Sequence, residues 1–152
     1  MKKDPASFKT LASFREATME LDNVYSLFSK ACGLSEAEYW SLLLIYEGAA
    51  TQSQISDQLF LSRQTLNSAF KQLQKKGLVR LEPYEDNQRS KHAFLTDTGR
   101  TFVEKYVVQM HQVEEKAWRQ MNEEEQAMLT KLTRKFSGLI QQEFKALKSD
   151  IV

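Results

Sequence analysis

Residues 51–79 read TQSQISDQLFLSRQTLNSAFKQLQKKGLV, and they specify more of the fold than any other part of the chain. Thr51, with Gln54 three residues later, has the pattern of a capping box that begins a helix, and Ser62 is an N-cap residue for a second helix. The Lys-Lys-Gly run near the end predicts where the second helix stops. Only residues 60–62 separate the two helices, and two short helices joined by so short a turn form a helix-turn-helix.

The second helix of this motif has one apolar face and one polar face. Its apolar positions are Leu66, Ala69, Phe70 and Leu73, and its polar positions are Gln64, Asn67, Ser68, Lys71 and Lys75. Amide side chains can bond adenine edges in pairs, hydroxyls can bond several bases, and Lys can bond phosphate or guanine. We therefore predict that this helix reads base edges in the major groove. The alternative is a solvated face, which would be expected to carry more Glu–Lys pairs.

After Gly77 the period of the apolar pattern changes from helical to alternating. Val79 and Leu81 alternate with charged residues, and His92 and Phe94 alternate with Lys91 and Ala93. Residues 83–88 between them are polar and turn-rich, so the pattern predicts a two-stranded hairpin, or wing. Its Arg89 and Lys91 would reach the DNA backbone or the neighbouring minor groove. Glu85 and Asp86 would repel phosphate there unless one of them orients Arg89.

Long amphipathic helices are predicted on both sides of this unit. One carries apolar residues from Phe8 to Cys32, and a capping box at residues 35–38 begins the next. Thr96 begins a long helix, and residues 122–125 begin a last one. The predicted fold class is mainly α: a winged helix-turn-helix at 34–96 and dimerisation helices at 1–33 and 97–152. A second copy would cover the apolar stripes of the long helices, and packing within a monomer is the alternative.

Charge is concentrated in the same central region. The chain has a net charge of +1, but residues 60–92 carry seven basic and three acidic residues, a net +4. Such a basic patch is typical of a protein that docks one face on phosphates, although a chance fluctuation would look the same. No apolar run approaches the ~18 residues that span a bilayer, and no signal-peptide core follows Met1. With a single cysteine as well, these features predict a cytoplasmic protein.

The stretch from Leu34 to Thr101 resembles the MarR family of bacterial regulators. The matching elements are Leu34-Ser35, Thr51-Gln52-Ser53-Gln54, Ser62-Arg63-Gln64-Thr65-Leu66, Leu73-Gln74-Lys75-Lys76-Gly77-Leu78-Val79, Arg89, and Leu95-Thr96-Asp97-Thr98-Gly99-Arg100. The family consists of homodimers that bind pseudo-palindromic operators, often as repressors. Many of them release DNA on binding a small anion or phenolic compound, or on cysteine oxidation.

The resemblance implies base-facing roles for Gln64, Thr65, Asn67 and Ser68, and the role of the wing arginine for Arg89. The full set of expected DNA-binding residues is Arg63, Gln64, Thr65, Asn67, Ser68, Lys71, Arg89 and Lys91. The sequence departs from the family pattern at Phe60, Ser62 and Ser68, where the family often has Gly, an acid and Arg. Asn87 and Gln88 replace the usual Asp and Arg beside the wing arginine.

Candidate effector, redox and metal sites depend on fewer residues. Tyr39, Trp40 and Tyr46 are candidate effector-binding residues, with a place in the core as the alternative. Cys32 is a buried thiol or, alternatively, a redox sensor. His92, His111 and Cys32 have no ligand-spaced pair, so no metal site and no cofactor are expected.

No catalytic motif is present in the sequence, and we expect a protein that is not an enzyme. The predicted function is a sequence-specific double-stranded DNA-binding regulator, a repressor released by a small molecule. The alternative is a winged helix used only for protein–protein contact, which would be expected to carry apolar residues on the recognition face.

Overall fold

The computed structural model describes residues 9–84 and 87–151, with the backbone alone at residues 84, 87–90 and 151. In chain order the elements are α1 (Leu11–Ala31), α2 (Glu36–Tyr46), α3 (Gln52–Leu59), α4 (Arg63–Lys75), β1 (Val79–Tyr84), β2 (Asn87–Leu95), α5 (Asp97–Phe102), a π-helical segment (Val103–Val107), α6 (Val108–Arg119) and α7 (Glu123–Ile151). The predicted fold class, a mainly helical winged helix-turn-helix, is confirmed. The chain divides into two compact units between Met110 and His111.

The helix starts of the first unit follow the predicted caps. Ser62 Oγ accepts a hydrogen bond from Thr65 N at 3.1 Å and begins α4. Thr51 Oγ1 accepts from Gln54 N at 3.1 Å while Gln54 Oε1 accepts from Thr51 N at 3.2 Å, which completes the capping box of α3. The start of the first helix is set by Thr10, which caps Leu11–Ala31; Phe8 lies outside the described residues.

The capping box predicted at residues 35–38 forms only in part. Ser35 Oγ accepts from Glu38 N at 3.2 Å, as expected for an N-cap. The Glu38 carboxylate, however, bonds Lys76 Nζ at 2.6 Å rather than the Ser35 amide. A basic partner on another element therefore takes the place of the local bond.

The core of the first unit lies among α2, α3, α4 and the wing. The apolar stripe of α4 is buried as predicted, at Leu66, Ala69, Phe70 and Leu73. It meets Tyr39 and Leu42 of α2 and Ile55 of α3 in one cluster of buried side chains. The same cluster fixes α4 in the molecule and leaves the opposite face of this helix exposed.

The wing is the predicted antiparallel pair of strands, and one of its two faces is buried against the core. Val79 pairs with Leu95 and Leu81 pairs with Ala93, and these four side chains contact the core. Phe94 lies on the other face, where Arg80 Cζ is 4.9 Å from the centroid of its ring. Adjacent residues of a strand face opposite sides, and the register brings Ala93 inward, so Phe94 faces away from the core.

The strands also extend into the segment predicted as a turn. β1 continues to Tyr84 and β2 begins at Asn87, and the register shifts between Pro83 and Tyr84. Proline lacks an N–H and is tolerated in a strand at an edge or an irregularity, which a two-stranded ribbon provides. On its other side, β2 is extended by a hydrogen bond from Ala93 N to Ala50 O at 2.9 Å.

The helix predicted to begin at Thr96 is interrupted by a π-helical segment. Thr96 Oγ1 accepts from Gly99 N at 2.9 Å and caps α5, as expected. At the end of the segment, Val108 N donates to Val103 O, one residue further back than in an α-helix. Val103 and Val107 are both fully buried in the core. The apolar spacing of the sequence does not distinguish this segment from a continuous α-helix.

The second unit contains the end of α6 and the long helix α7. Asn122 Oδ1 accepts from Glu125 N at 2.8 Å and Glu125 Oε2 accepts from Asn122 N at 3.0 Å, so α7 begins where the sequence predicted. Gln126 Nε2 donates to Trp118 O at 2.7 Å and fixes the turn between the two helices. α7 exposes a row of large apolar side chains: Met128, Leu129, Leu132, Phe136, Leu139, Ile140, Phe144 and Leu147.

Candidate nucleic-acid interface

The candidate interface is the exposed face of α4, opposite its buried stripe. All six expected contact residues on this helix are exposed: Arg63, Gln64, Thr65, Asn67, Ser68 and Lys71. At about 100° per residue, Gln64, Lys71 and Lys75 lie on one line along the helix, and Asn67 and Ser68 lie on either side of that line. The buried stripe holds this face in a fixed orientation.

The two amides of this face are available to a ligand. Within the part of the chain that the structure describes, no hydrogen bond is formed by the side chain of Gln64 or Asn67. Each amide has two N–H donors and a carbonyl acceptor, which match the donor and acceptor on the major-groove edge of adenine. Both side chains can therefore form paired hydrogen bonds without breaking a contact of the protein.

The two hydroxyls of the face already take part in local hydrogen bonds. Ser68 Oγ donates to Gln64 O at 3.1 Å, and Thr65 Oγ1 lies 2.9 Å from Ser62 Oγ at the helix start. A Ser hydroxyl that donates its one proton can still accept hydrogen bonds. Ser68 is thus oriented as an acceptor, while Thr65 belongs to the helix cap as much as to the exposed face.

The basic residues of the central region fall into two groups. Arg63, Lys71, Lys75 and Lys91 are exposed and form no ion pair with another described residue. Lys76 is paired with Glu38, and Arg80 NH1 pairs with Glu82 Oε1 at 2.9 Å. Arg89 lies in β2, but its side chain is outside the described part of the structure. Of the seven basic residues counted in the sequence, at least two are therefore engaged within the protein.

The turn that leads into α4 has an unusual residue at its centre. Phe60 adopts the left-handed conformation, with φ 53° and ψ 35°, and its side chain is 94% exposed. Sequence reasoning did not select Phe60 as a site residue. The signal was present, because Phe60 occupies the position of a helix C′ residue, where Gly is the usual choice.

A comparison with protein families agrees with this geometry. The model of the MarR family matches residues 33–90, which contain α2, α3, α4, β1 and the first part of β2. Residues 33–90 are therefore similar to the winged helix-turn-helix of the MarR family. No curated protein matches the sequence.

Solved structures of MarR-type regulators share the fold over most of the chain. A MarR family regulator from Neisseria meningitidis is 20% identical, with a TM-score of 0.72, over 92% of this chain and 97% of that one. The MepR–DNA complex of S. aureus is 23% identical, with a TM-score of 0.65, over 83% and 94%. Bordetella bronchiseptica BpsR, whose DNA binding is regulated by 6-hydroxynicotinic acid, is 17% identical, with a TM-score of 0.68, over 90% and 98%.

The three effector candidates occupy different environments. Tyr39 is fully buried and its ring lies 5.0 Å from that of Trp40, edge to face. Trp40 is half-buried and also meets Tyr25, with ring centroids 5.5 Å apart. Tyr46 lies at the C-terminal end of α2, where Arg100 Cζ is 5.8 Å from the centroid of its ring. Tyr39 and Trp40 therefore form one cluster that does not include Tyr46.

Burial also affects the one cysteine. Desolvation raises the pKa of the half-buried Cys32 thiol above its ordinary value of 9.0. A raised pKa favours the thiol over the reactive thiolate.

Across residues 9–84 and 87–151, no group of three or more His, Cys, Asp or Glu side chains is placed to hold a metal ion. Nor is any helix in those ranges long and apolar enough to cross a membrane.

Proposed function

We propose that this protein is a sequence-specific regulator of transcription that binds double-stranded DNA with α4 in the major groove. The observation that carries the proposal is the pair of exposed amides, Gln64 and Asn67, with no hydrogen-bond partner in the described structure. Base edges offer them the donors and acceptors they lack. S. aureus MepR, which shares the fold, has been solved in complex with DNA, and this supports a DNA-binding role.

The proposed contacts with DNA are of two kinds: contacts with base edges, which determine specificity, and contacts with phosphates, which position the helix. We assign base contacts to Gln64 and Asn67, with Ser68 accepting from a base. We assign phosphate contacts to Arg63 and Lys71, because both cations are exposed on the same helix. Phosphate contacts give affinity and register, while base contacts give specificity.

The remaining assigned DNA-binding residues are Thr65, Arg89 and Lys91. Thr65 would contact DNA beside the cap of α4, and the wing residues Arg89 and Lys91 would contact the backbone or the adjacent minor groove.

We further propose a homodimer, with residues 1–33 and 97–152 as dimerisation helices and 34–96 as the DNA-binding region. α1 exposes Leu11, Leu21, Val24 and Leu27, and α7 exposes its row of apolar side chains. Exposed apolar rows of this length are typical of interaction sites. A symmetric dimer would present two copies of α4 and bind a pseudo-palindromic operator.

Repression relieved by a small molecule is the finer part of the proposal. Trp40 is only half-buried and supplies aromatic surface of the kind that binds small ligands, and Tyr46 remains a separate candidate. Tyr39 is fully buried, so it would support a ligand only by packing against Trp40. BpsR, with the same fold, responds to an aromatic acid. Such a repressor would work in the cytoplasm, where bacterial operators lie.

A selection from a random duplex library tests the proposal. We expect an enriched inverted repeat whose binding weakens with salt, with a log–log slope of about −0.9 for each phosphate neutralised. Gln64→Ala with Asn67→Ala should abolish the enrichment. Gln74→Ala is the matched control, because this exposed glutamine lies near the C-terminal end of the same helix. No enriched sequence with the wild-type protein would overturn the proposal.

A further inference from the structure

Phe60 combines a left-handed backbone with an exposed aromatic ring, two features that a folded protein normally avoids. Its backbone is left-handed, and the hydrogen bonds around it are those of a Schellman motif: Leu61 N donates to Ser56 O at 3.2 Å and Phe60 N to Asp57 O at 3.4 Å. This motif requires a positive φ at the central residue, and glycine satisfies it without strain. A bulky side chain in this conformation is an outlier.

The ring of Phe60 does not pack against the rest of the protein. It is 94% exposed, whereas its neighbours Leu59 and Leu61 are partly buried against the core. Neither backbone geometry nor packing therefore accounts for a phenylalanine at this position. Strained residues that the surrounding structure maintains are concentrated at functional sites.

The position of Phe60 indicates what it contacts. It lies two residues before Ser62, the N-cap of α4, and the next residues along the chain, Arg63 and Gln64, are exposed and polar. In a helix-turn-helix protein the N-terminal residues of the second helix contact base edges, so the strand backbone passes beside this turn. A protein–protein contact would instead be expected to have further exposed apolar side chains around the ring, whereas Leu59 and Leu61 face inward.

We propose that the Phe60 ring makes an apolar contact with operator DNA beside α4 and contributes to operator affinity. The inference rests on the proposed DNA-binding function. The chemistry it recognises is an exposed C–H surface, which DNA offers as the deoxyribose face and as the C5 methyl of thymine.

Three variants separate this contact from a role in folding. Phe60→Gly relieves the left-handed strain, so its melting temperature should rise while its operator affinity falls about tenfold through loss of buried apolar surface. Phe60→Asn tolerates the same backbone without an apolar ring and should lose as much affinity. Phe60→Leu keeps an apolar side chain and should retain most of the binding. The slope of affinity with salt should not change in any of them, because no charge is removed.

Replacing the thymines of the selected operator with uracil distinguishes the two sources of C–H surface. If the methyl is the partner, uracil at one thymine position of each half-site should weaken binding by the wild type and leave binding by the Phe60→Gly variant unchanged. If deoxyribose is the partner, no single replacement should have this effect. If the wild type binds the operator and the Phe60→Gly variant binds it with the same affinity, this inference is overturned and the proposed function still stands. A shallower salt slope in Phe60→Gly would overturn it too, since Phe60 would then act by placing Arg63. Failure of the wild type to bind any duplex would overturn both.

Discussion

Lys76 Nζ lies 2.6 Å from Glu38 Oε2, which ties the C-terminal end of α4 to the first turn of α2. The Glu38 side chain is only 8% exposed, whereas that of Lys76 is 39% exposed. A carboxylate so far removed from water requires a partner, because an uncompensated buried charge is strongly unfavourable. The pair therefore fixes the end of the recognition helix, and one of the seven basic residues of the central region is engaged within the protein.

Removing either member of this pair should destabilise the protein. We expect Lys76→Met and Glu38→Gln each to lower the free energy of unfolding by about 1–3 kcal/mol. The double variant should lose less than the sum of the two, as shown by urea unfolding. The exposed pair of Arg80 and Glu82 is the control, since Glu82→Gln should cost less than about 1 kcal/mol. Additive losses would show that Glu38 and Lys76 do not interact in solution.

Gly99 should not tolerate any side chain. A Cβ at Gly99 would overlap the carbonyl oxygen of Leu78, and this oxygen belongs to the backbone and also accepts from Thr96 N at 3.1 Å. We expect Gly99→Ala to cost more than about 3 kcal/mol in thermal or urea unfolding, because the backbone must move. Gly138→Ala on α7 is the matched control: a Cβ there meets nothing within 4 Å, and alanine should stabilise the helix by about 0.5–1 kcal/mol. A Gly99→Ala protein as stable as the wild type would contradict the close approach.

The predictable parts of this molecule are those that depend on local pattern. The caps at Thr51, Ser62 and Thr96 and the buried stripe of α4 follow from spacing within a few residues. The bond from Lys76 to Glu38 does not, because it joins residues 38 positions apart. The alternation in β2 likewise could not settle the buried face, since Ala93 and Phe94 are both apolar and only pairing with β1 selects Ala93.

Site residues show the same division. The exposed amides of α4 could be placed from helical periodicity once the apolar stripe was recognised. Periodicity does not place Phe60. Its position after α3, where Gly is usual, marks it as exceptional, but its exposure depends on the turn geometry, which directs Leu59 and Leu61 inward.

Cys32 should react slowly in the folded protein. Burial raises the pKa of its thiol, so at neutral pH the thiolate is rarer than in the unfolded chain, and it becomes appreciable only as the pH rises past the ordinary value of 9.0. We expect iodoacetamide to alkylate the native protein more slowly than the urea-unfolded protein at neutral pH. Cys32→Ser should bind the operator as the wild type does, and peroxide should not release the wild type from DNA. Fast native alkylation together with peroxide release would support the redox-sensor alternative.

The apolar row of α7 should be required for dimerisation. Leu132 is 50% exposed in the single chain, so Leu132→Glu should leave the protomer folded while placing a charge in the proposed interface. In sedimentation at micromolar concentration we expect a wild-type dimer, a monomeric or weakly dimeric Leu132→Glu, and a matching loss of operator binding. Gln141→Glu adds the same charge at an exposed position on another side of α7 and should stay dimeric. A wild-type protein that sediments as a folded monomer would refute the homodimer.

Asn67 should determine the base preference at one position of each half-site. Its exposed amide has no partner in the described part of the chain, so Asn67→Ala should leave the melting temperature nearly unchanged. On the selected operator we expect a loss of about 1–3 kcal/mol per half-site, with relaxed preference at one base pair. In a dimer the affected positions should occur as a symmetric pair, with half-sites about 10 bp apart from centre to centre.

Binding to the operator and to a scrambled duplex distinguishes reading from positioning. A base-reading Asn67 loses affinity on the operator alone, whereas equal losses on both duplexes would show that it only positions the helix. No loss on either would mean that Asn67 does not face DNA. Lys71→Ala provides the contrast, because an exposed cation that binds phosphate should weaken both duplexes alike and reduce the salt slope by about one for each subunit.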